Sequence, residues 1–223
     1  MTKRRLALSR IFSRKSAPTP SILPARNYFY LGEGIALAQL KTGHFIYVDP
    51  LEESVCAHLI AHGYWEPWTT KIIQSLLRPG DRVVEVGAHV GYYTLLMAWA
   101  VGPSGNVLSL EANPRLAAHV ARSIRFNGYS AWTTLLHKAA SENAGVARFT
   151  TSRRHAGGGH LYVHENAMGE DTEVLEVETV RLDDLNPMDV RLLRIDAEGS
   201  EPLILRGAEN LLKQPRLIIC MEW

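Results

Sequence analysis

Apolar positions recur along the chain with two different periods, and the switches between them predict the elements. Short apolar blocks at 35–40 and 44–48 flank Lys41-Thr42-Gly43, a three-residue connection ending in glycine, which suits a β-hairpin. Pro50 stops the second strand. Helical spacing follows over 51–62 and 68–77, and Arg78-Pro79-Gly80-Asp81 closes this part with a turn. The pattern then alternates. A β-branched strand covers 82–86, a helix 90–101 and a strand 106–110. Asn113 caps the next helix and Pro114 takes its first position. Leu116, Val120 and Ile124 mark its buried face, and Gly128 stops it. A strand at 133–137 follows. The stretch 141–189 is less regular, with strands at 146–150 and 173–180 around the glycine-rich Ala156-Gly157-Gly158-Gly159-His160. After Leu182-Asp183-Asp184-Leu185 come a strand at 191–195, a helix over 202–213 and a strand at 216–221.

Strand and helix alternation builds a parallel sheet with helices on both faces. The expected fold class is therefore α/β: a doubly wound, Rossmann-like sheet over 81–223, a small β/α extension over 27–80, and an arm over 1–26. The sequence stops at Glu222-Trp223, directly after a buried-type strand, so the expected sheet lacks a closing C-terminal hairpin. An edge left open in this way invites pairing with a second copy, a homodimer.

Composition adds limits. A chain of 223 residues, 46% hydrophobic and 21% charged, has globular proportions, which excludes fibrous, low-complexity and wholly disordered classes. Cys56 and Cys220 show neither zinc-ligand spacing nor a disulfide framework, which fits reduced thiols in a cytoplasmic protein. The apolar run at 95–101 is far shorter than the ~20 residues a membrane helix needs. Charge is unevenly divided. Seven of the 24 bases and none of the 23 acids lie in residues 1–26, leaving 17 bases against 23 acids in the body. An acidic body argues against nucleic acid as a partner. The arm reads as a disordered, solvated leader; its functional alternative is weak contact of residues 1–15 with an anionic membrane surface, through Leu6, Leu8, Ile11 and Phe12 among the bases.

The most informative segment is Val83-Val84-Glu85-Val86-Gly87-Ala88-His89-Val90-Gly91, a buried strand that runs into a glycine turn and a helix. Gly87 permits a sharp turn and close approach of a ligand, and the helix start offers free N–H groups. Glu111 ends the next strand, 24 residues after Gly87, where a carboxylate accepts from both hydroxyls of a ribose. A dinucleotide fingerprint would need glycine where His89 stands, and the acid at Glu85 would repel a diphosphate. Charge and sterics thus favour S-adenosylmethionine, which carries a sulfonium, an ammonium and a ribose but no phosphate, over a nicotinamide dinucleotide.

With these residues the chain resembles the FkbM-type methyltransferases, class I enzymes that use S-adenosylmethionine to methylate oxygen. The resemblance runs from about residue 51 to 222. It rests on Gly63-Tyr64-Trp65-Glu66-Pro67, on the stretch from Glu85 to Thr94, on Glu111-Ala112-Asn113-Pro114, and on a C-terminal set. That set comprises Val180-Arg181-Leu182-Asp183-Asp184-Leu185, Arg194-Ile195-Asp196-Ala197-Glu198-Gly199 and Leu205-Arg206-Gly207-Ala208-Glu209. It implies cofactor contacts from Glu85, Gly87, Ala88, His89, Gly91, Thr94, Glu111, Ala112, Asn113, Ala139 and Asp196. The family usually has Asp at Glu85, Asn at His89, Pro at Ala112, Lys at Arg194 and Val at Ala197. His89 makes a hydrogen-bonding position titratable.

Methyl transfer is an in-line displacement that needs alignment, exclusion of water and removal of the acceptor proton. Asp196 and Glu198, beyond the 191–195 strand, are the leading candidates for orientation or general base, and Asp196 could instead hold the methionine ammonium. Glu66 could reach the pocket from the extension. His160 is a further candidate base, within a glycine-rich segment that could serve as a lid. Asp183 and Asp184 could join the pocket or hold Mg²⁺ with Asp196; a helix cap is the alternative. Tyr64, Trp65 and Trp68 could stack on a sugar. The function expected is O-methylation of a glycan, glycolipid or polyketide-type hydroxyl. The alternatives are an inactive or truncated methyltransferase-like binding module and an NAD-dependent oxidoreductase.

Overall fold

The computed structural model describes residues 27–161 and 172–222. The arm at 1–26, its membrane contact and the end at Trp223 lie outside the described residues.

Five parallel strands form the central sheet: β4 (Arg82–Val86), β5 (Asn106–Leu110), β6 (Thr133–Leu136), β11 (Val190–Ile195) and β12 (Ile218–Met221), in the order β12-β11-β4-β5-β6. Connection order reverses between β4 and β11, so a crevice opens there at the carboxyl ends of the strands. Helices α3 (Tyr92–Val101) and α4 (Pro114–Phe126) follow β4 and β5. Helix α5 (Glu201–Arg206) covers the other face, where Ile204 packs with Val84, Leu193 and Ile195. The 90–101 helix begins two residues late, because His89 (φ 53°) and Gly91 (φ 91°) form a left-handed turn ahead of it. The helix expected over 202–213 is broken. Gly207 passes so close to the Ser141 carbonyl that a Cβ there would lie 2.1 Å from the oxygen, and a short 3₁₀ turn, Leu211–Lys213, follows separately.

Before this sheet lies a three-stranded antiparallel one, β1 (Tyr28–Gly32), β2 (Ile35–Gln39) and β3 (Phe45–Val48). The hairpin is as expected; β1 was not legible, because all of its aromatic side chains are exposed and no alternation marks it. The free edge of β3 is tied to α4: Ser123 accepts from the Tyr47 N–H at 2.9 Å, and Asn127 exchanges two bonds with the Phe45 backbone at 3.1 and 2.6 Å. Helices α1 (Val55–His62) and α2 (Pro67–Leu76) complete the extension. One core holds Ala36, Ile46, Leu59 and Ile73 together with Val83, Leu95, Met97 and Leu192, so extension and sheet share their apolar interior. No helix among the described residues is long and apolar enough to cross a membrane.

The less regular stretch forms a third sheet of β7 (Ala139–Ala140), β8 (Gly145–Ser152), β9 (His160–Leu161) and β10 (Thr172–Val180), in the order β7-β10-β8-β9. It stands beside the crevice and supplies one wall.

Candidate functional site

A cavity of about 240 Å³ occupies the crevice beyond β4, β5 and β11. Its walls come from the turn after β4, the end of β5, the start of β7, the β8–β9 pair, the segment after β11, and Glu66 of the extension.

Gly87 turns the chain with φ 82°, and a Cβ at this position would fall 1.8 Å from the Asp196 carbonyl oxygen. The glycine is thus required by the neighbouring strand's backbone as well as by the left-handed turn, a reason that local sequence does not display. Ala88 and His89 line the cavity; Gly91 does not, and its small size admits Val120 of α4. Both ring nitrogens of His89 are buried and have no hydrogen-bond partner among the described residues, and burial lowers its pKa, which favours the neutral ring.

Glu111 lies on the cavity wall, 5% exposed. One oxygen accepts from the His89 N–H at 2.6 Å and the other from the Asn113 N–H at 2.8 Å. Burial pushes its carboxyl up to about 7 despite these N–H bonds, which pull the other way. Ala112 and Ala139 line the same region with Leu116 and Phe149. Asn113 does not: its oxygen caps α4 at Arg115 N–H (3.0 Å) and its amide donates to Thr151 (3.0 Å).

Glu85 and Thr94 lie beneath the cavity, not on its wall. Glu85 is fully buried, accepting from Thr94 at 2.6 Å and Ser109 at 2.7 Å, with Arg194 3.7 Å from its other oxygen. Burial raises its pKa, opposed by the Arg194 charge. Glu85 therefore supports the floor through Arg194. That guanidinium stacks on the Tyr93 ring at 4.2 Å, donates to the Gly87 carbonyl at 3.1 Å, and grips Asp196 at 2.6 Å.

Asp196, Glu198 and Glu222 converge, each placing a carboxylate oxygen within 4.8 Å of the others. The Glu222 carboxyl is pushed up chiefly by its hydrogen bond to Asp196, and then by the Asp196 charge. Glu198 is raised first by burial, then by Asp196 and Glu201. Glu66 joins the wall with its carboxylate fixed by the Tyr93 hydroxyl at 2.7 Å. His160 also lines the cavity and bonds the Gly158 carbonyl at 3.0 Å. The glycine-rich segment is an inner wall: Ala156 is buried and β9 pairs with β8.

Asp183 and Asp184 do not line the cavity. Asp183 accepts from the Asn210 and Leu211 N–H groups at 2.9 and 3.0 Å, so it caps the distant 3₁₀ turn, and the cap alternative is the one its geometry matches. The converging oxygens, which could hold a hard cation such as Mg²⁺, belong to Asp196, Glu198 and Glu222. Trp65 lines the cavity; Tyr64 and Trp68 do not. Sequence reasoning missed Arg194 as the organising cation, and also Tyr93, Glu222 and the ion-paired Lys138. The only available signal was Arg194 beside Asp196 at the end of a buried strand.

The model of the FkbM methyltransferase domain matches residues 85–223. A protein-L-isoaspartate O-methyltransferase of Ignicoccus hospitalis is 42% identical over 60 residues, 27% of this chain and 28% of that protein. A transmembrane O-methyltransferase of Pan troglodytes is 39% identical over 103 residues, 45% of this chain and 34% of that protein. The chain thus covers well under two thirds of these relatives. The crystal structure of an FkbM methyltransferase from Methylobacillus flagellatus aligns with 68% of this chain and 39% of its own, at 14% identity and a TM-score of 0.46.

Proposed function

This chain belongs to the FkbM methyltransferase domain family, and on that premise we propose that it transfers a methyl group from S-adenosylmethionine to a hydroxyl oxygen of a glycan, glycolipid or polyketide-type acceptor. The observation that carries this reading is the division of one cavity between two acidic groups. Glu111 sits in an apolar surround, and Asp196, Glu198 and Glu222 sit together elsewhere on the wall.

The residues present suit the cofactor. An ionised carboxylate offers about four lone-pair positions, and Glu111 uses two of them on N–H groups, leaving acceptors for ribose hydroxyls. Ala88, Leu116, Ala139 and Phe149 supply apolar surface for a flat base. The acidic wall suits an ammonium and a sulfonium. When bound, S-adenosylmethionine supplies a methyl group activated by positive sulfur.

The protein contributes position and proton removal. Arg194, fixed by Glu85 and the Tyr93 ring, holds Asp196 so that its carboxylate orients the acceptor hydroxyl. Glu198 accepts the hydroxyl proton; its raised pKa brings it nearer the working pH, which improves a general base. Trp65 offers a ring face to a sugar.

The test is calorimetry with S-adenosylmethionine and with NAD, followed by S-adenosylhomocysteine release in the presence of glycans and polyketide alcohols. The methyl donor is expected to bind and NAD is not. Turnover on a hydroxyl should drop about a hundredfold or more in Glu198→Gln, with donor affinity retained. Binding of NAD alone, or donor binding without turnover on any hydroxyl, overturns the reading.

A further inference from the structure

Among the described residues, the first sheet carries the longest consecutive run of exposed large apolar side chains. In β1, Tyr28, Phe29, Tyr30 and Leu31 are 43%, 49%, 62% and 53% exposed. Phe29, Leu37 and Tyr47 are register partners across β1, β2 and β3, so they form one row on one face, with Phe29 exposed, Tyr47 half-buried and Leu37 buried between them. Phe126 at the end of α4 extends this row. It is 52% exposed, with its ring 6.2 Å from Tyr47 and 5.3 Å from Phe45. Arg122 and Arg125, four residues and one residue before it, line a shallow hollow with Tyr47 and Phe126. Exposed rings at both ends of this face, Phe29 and Phe126, with the half-buried Tyr47 between them, mark an interaction surface.

Charge selects the partner. Two arginines border the aromatic row, and the sequence that leads directly into β1 carries seven bases and no acid over residues 1–26. Aromatic rings flanked by bases match the boundary of an anionic bilayer, where rings settle at headgroup depth and cations meet lipid phosphates. Two weak signals together give stable attachment where one does not. A second copy pairing along β1 is the rival occupant. Its geometry is less regular, because the register shifts between Tyr30 and Gly32, which interrupts the even row of edge groups that strand pairing needs. We propose that the outer face of the first sheet, with Phe29, Tyr47, Phe126, Arg122 and Arg125, is a peripheral docking surface for anionic membrane. This goes beyond the methyltransferase reading and stands independently of it.

The experiment uses the full chain and sedimentation with vesicles of phosphatidylcholine alone or mixed with phosphatidylserine. Binding is expected to the anionic vesicles at about 0.1 M salt and to be largely lost at about 0.5 M. The pair Arg122→Gln and Arg125→Gln should weaken it, roughly fivefold per arginine. Phe29→Ser with Phe126→Ser should weaken it further, with the melting temperature and donor binding checked in each variant. Binding that survives all four substitutions assigns attachment to residues 1–26 alone and overturns the proposal. So does equal binding to neutral vesicles, and so does a concentration-dependent dimer abolished by Phe29→Ser.

Discussion

Glu111 is held between two N–H groups and yet burial keeps its carboxyl at about 7. A ribose donates hydroxyl bonds best to an ionised carboxylate. Donor affinity should therefore fall as the pH drops below about 7, approaching tenfold per unit. Glu111→Gln should flatten this profile and weaken binding by at least about tenfold at pH 8, as read by calorimetry across pH. Stability runs the other way. The folded pKa lies above the ordinary value of 4.5, so this group's stabilising contribution is complete below 4.5 and is lost as pH rises through about 7. At this scale Glu111 and Gly87 were legible, because strand ends and glycine turns announce themselves. The burial of Glu85 under the floor was not, since a strand-end acid has the same local sequence whether it faces a ligand or an arginine.

Among the elements, the strands of the central sheet and their helices follow directly from apolar periodicity. Asn113 caps α4 as its position before Pro114 predicts. The edge of β3 depends on a pairing that no local pattern shows, the side chains of Ser123 and Asn127 standing in for a further strand. Ser123→Ala should cost about 1–2 kcal/mol, because it leaves the Tyr47 N–H without its acceptor. Asn127→Ala should cost somewhat more, since it removes both bonds to Phe45. Hydrogen exchange should find faster opening of the Tyr47 and Phe45 amides, with the central sheet unaffected. The helix expected over 202–213 fails for a similar reason: Gly207 is pressed against Ser141, and Asp183 caps the turn that follows. Both constraints come from distant sequence.

For the whole molecule, the cavity joins segments from residue 55 to residue 222, so the donor should brace the assembled fold and not one element. S-adenosylmethionine at a hundredfold excess over its Kd should add about 2.7 kcal/mol to stability, visible as a higher melting temperature. Glu111→Gln should reduce that gain, and NAD should produce none. The sequence by itself determined the doubly wound class, the turn after β4 and the acid after β5. Each depends on periodicity, glycine or strand ends within a few residues of one another. Only the tertiary structure decided which acids face the cavity. It seated Glu85 and Asp183 as internal supports and brought Glu198 and Glu222 beside Asp196, which Arg194 holds. A carboxylate's role is set by its burial and by the partners that folding brings to it, and those partners can lie 109 residues away along the chain, as Arg194 does from Glu85.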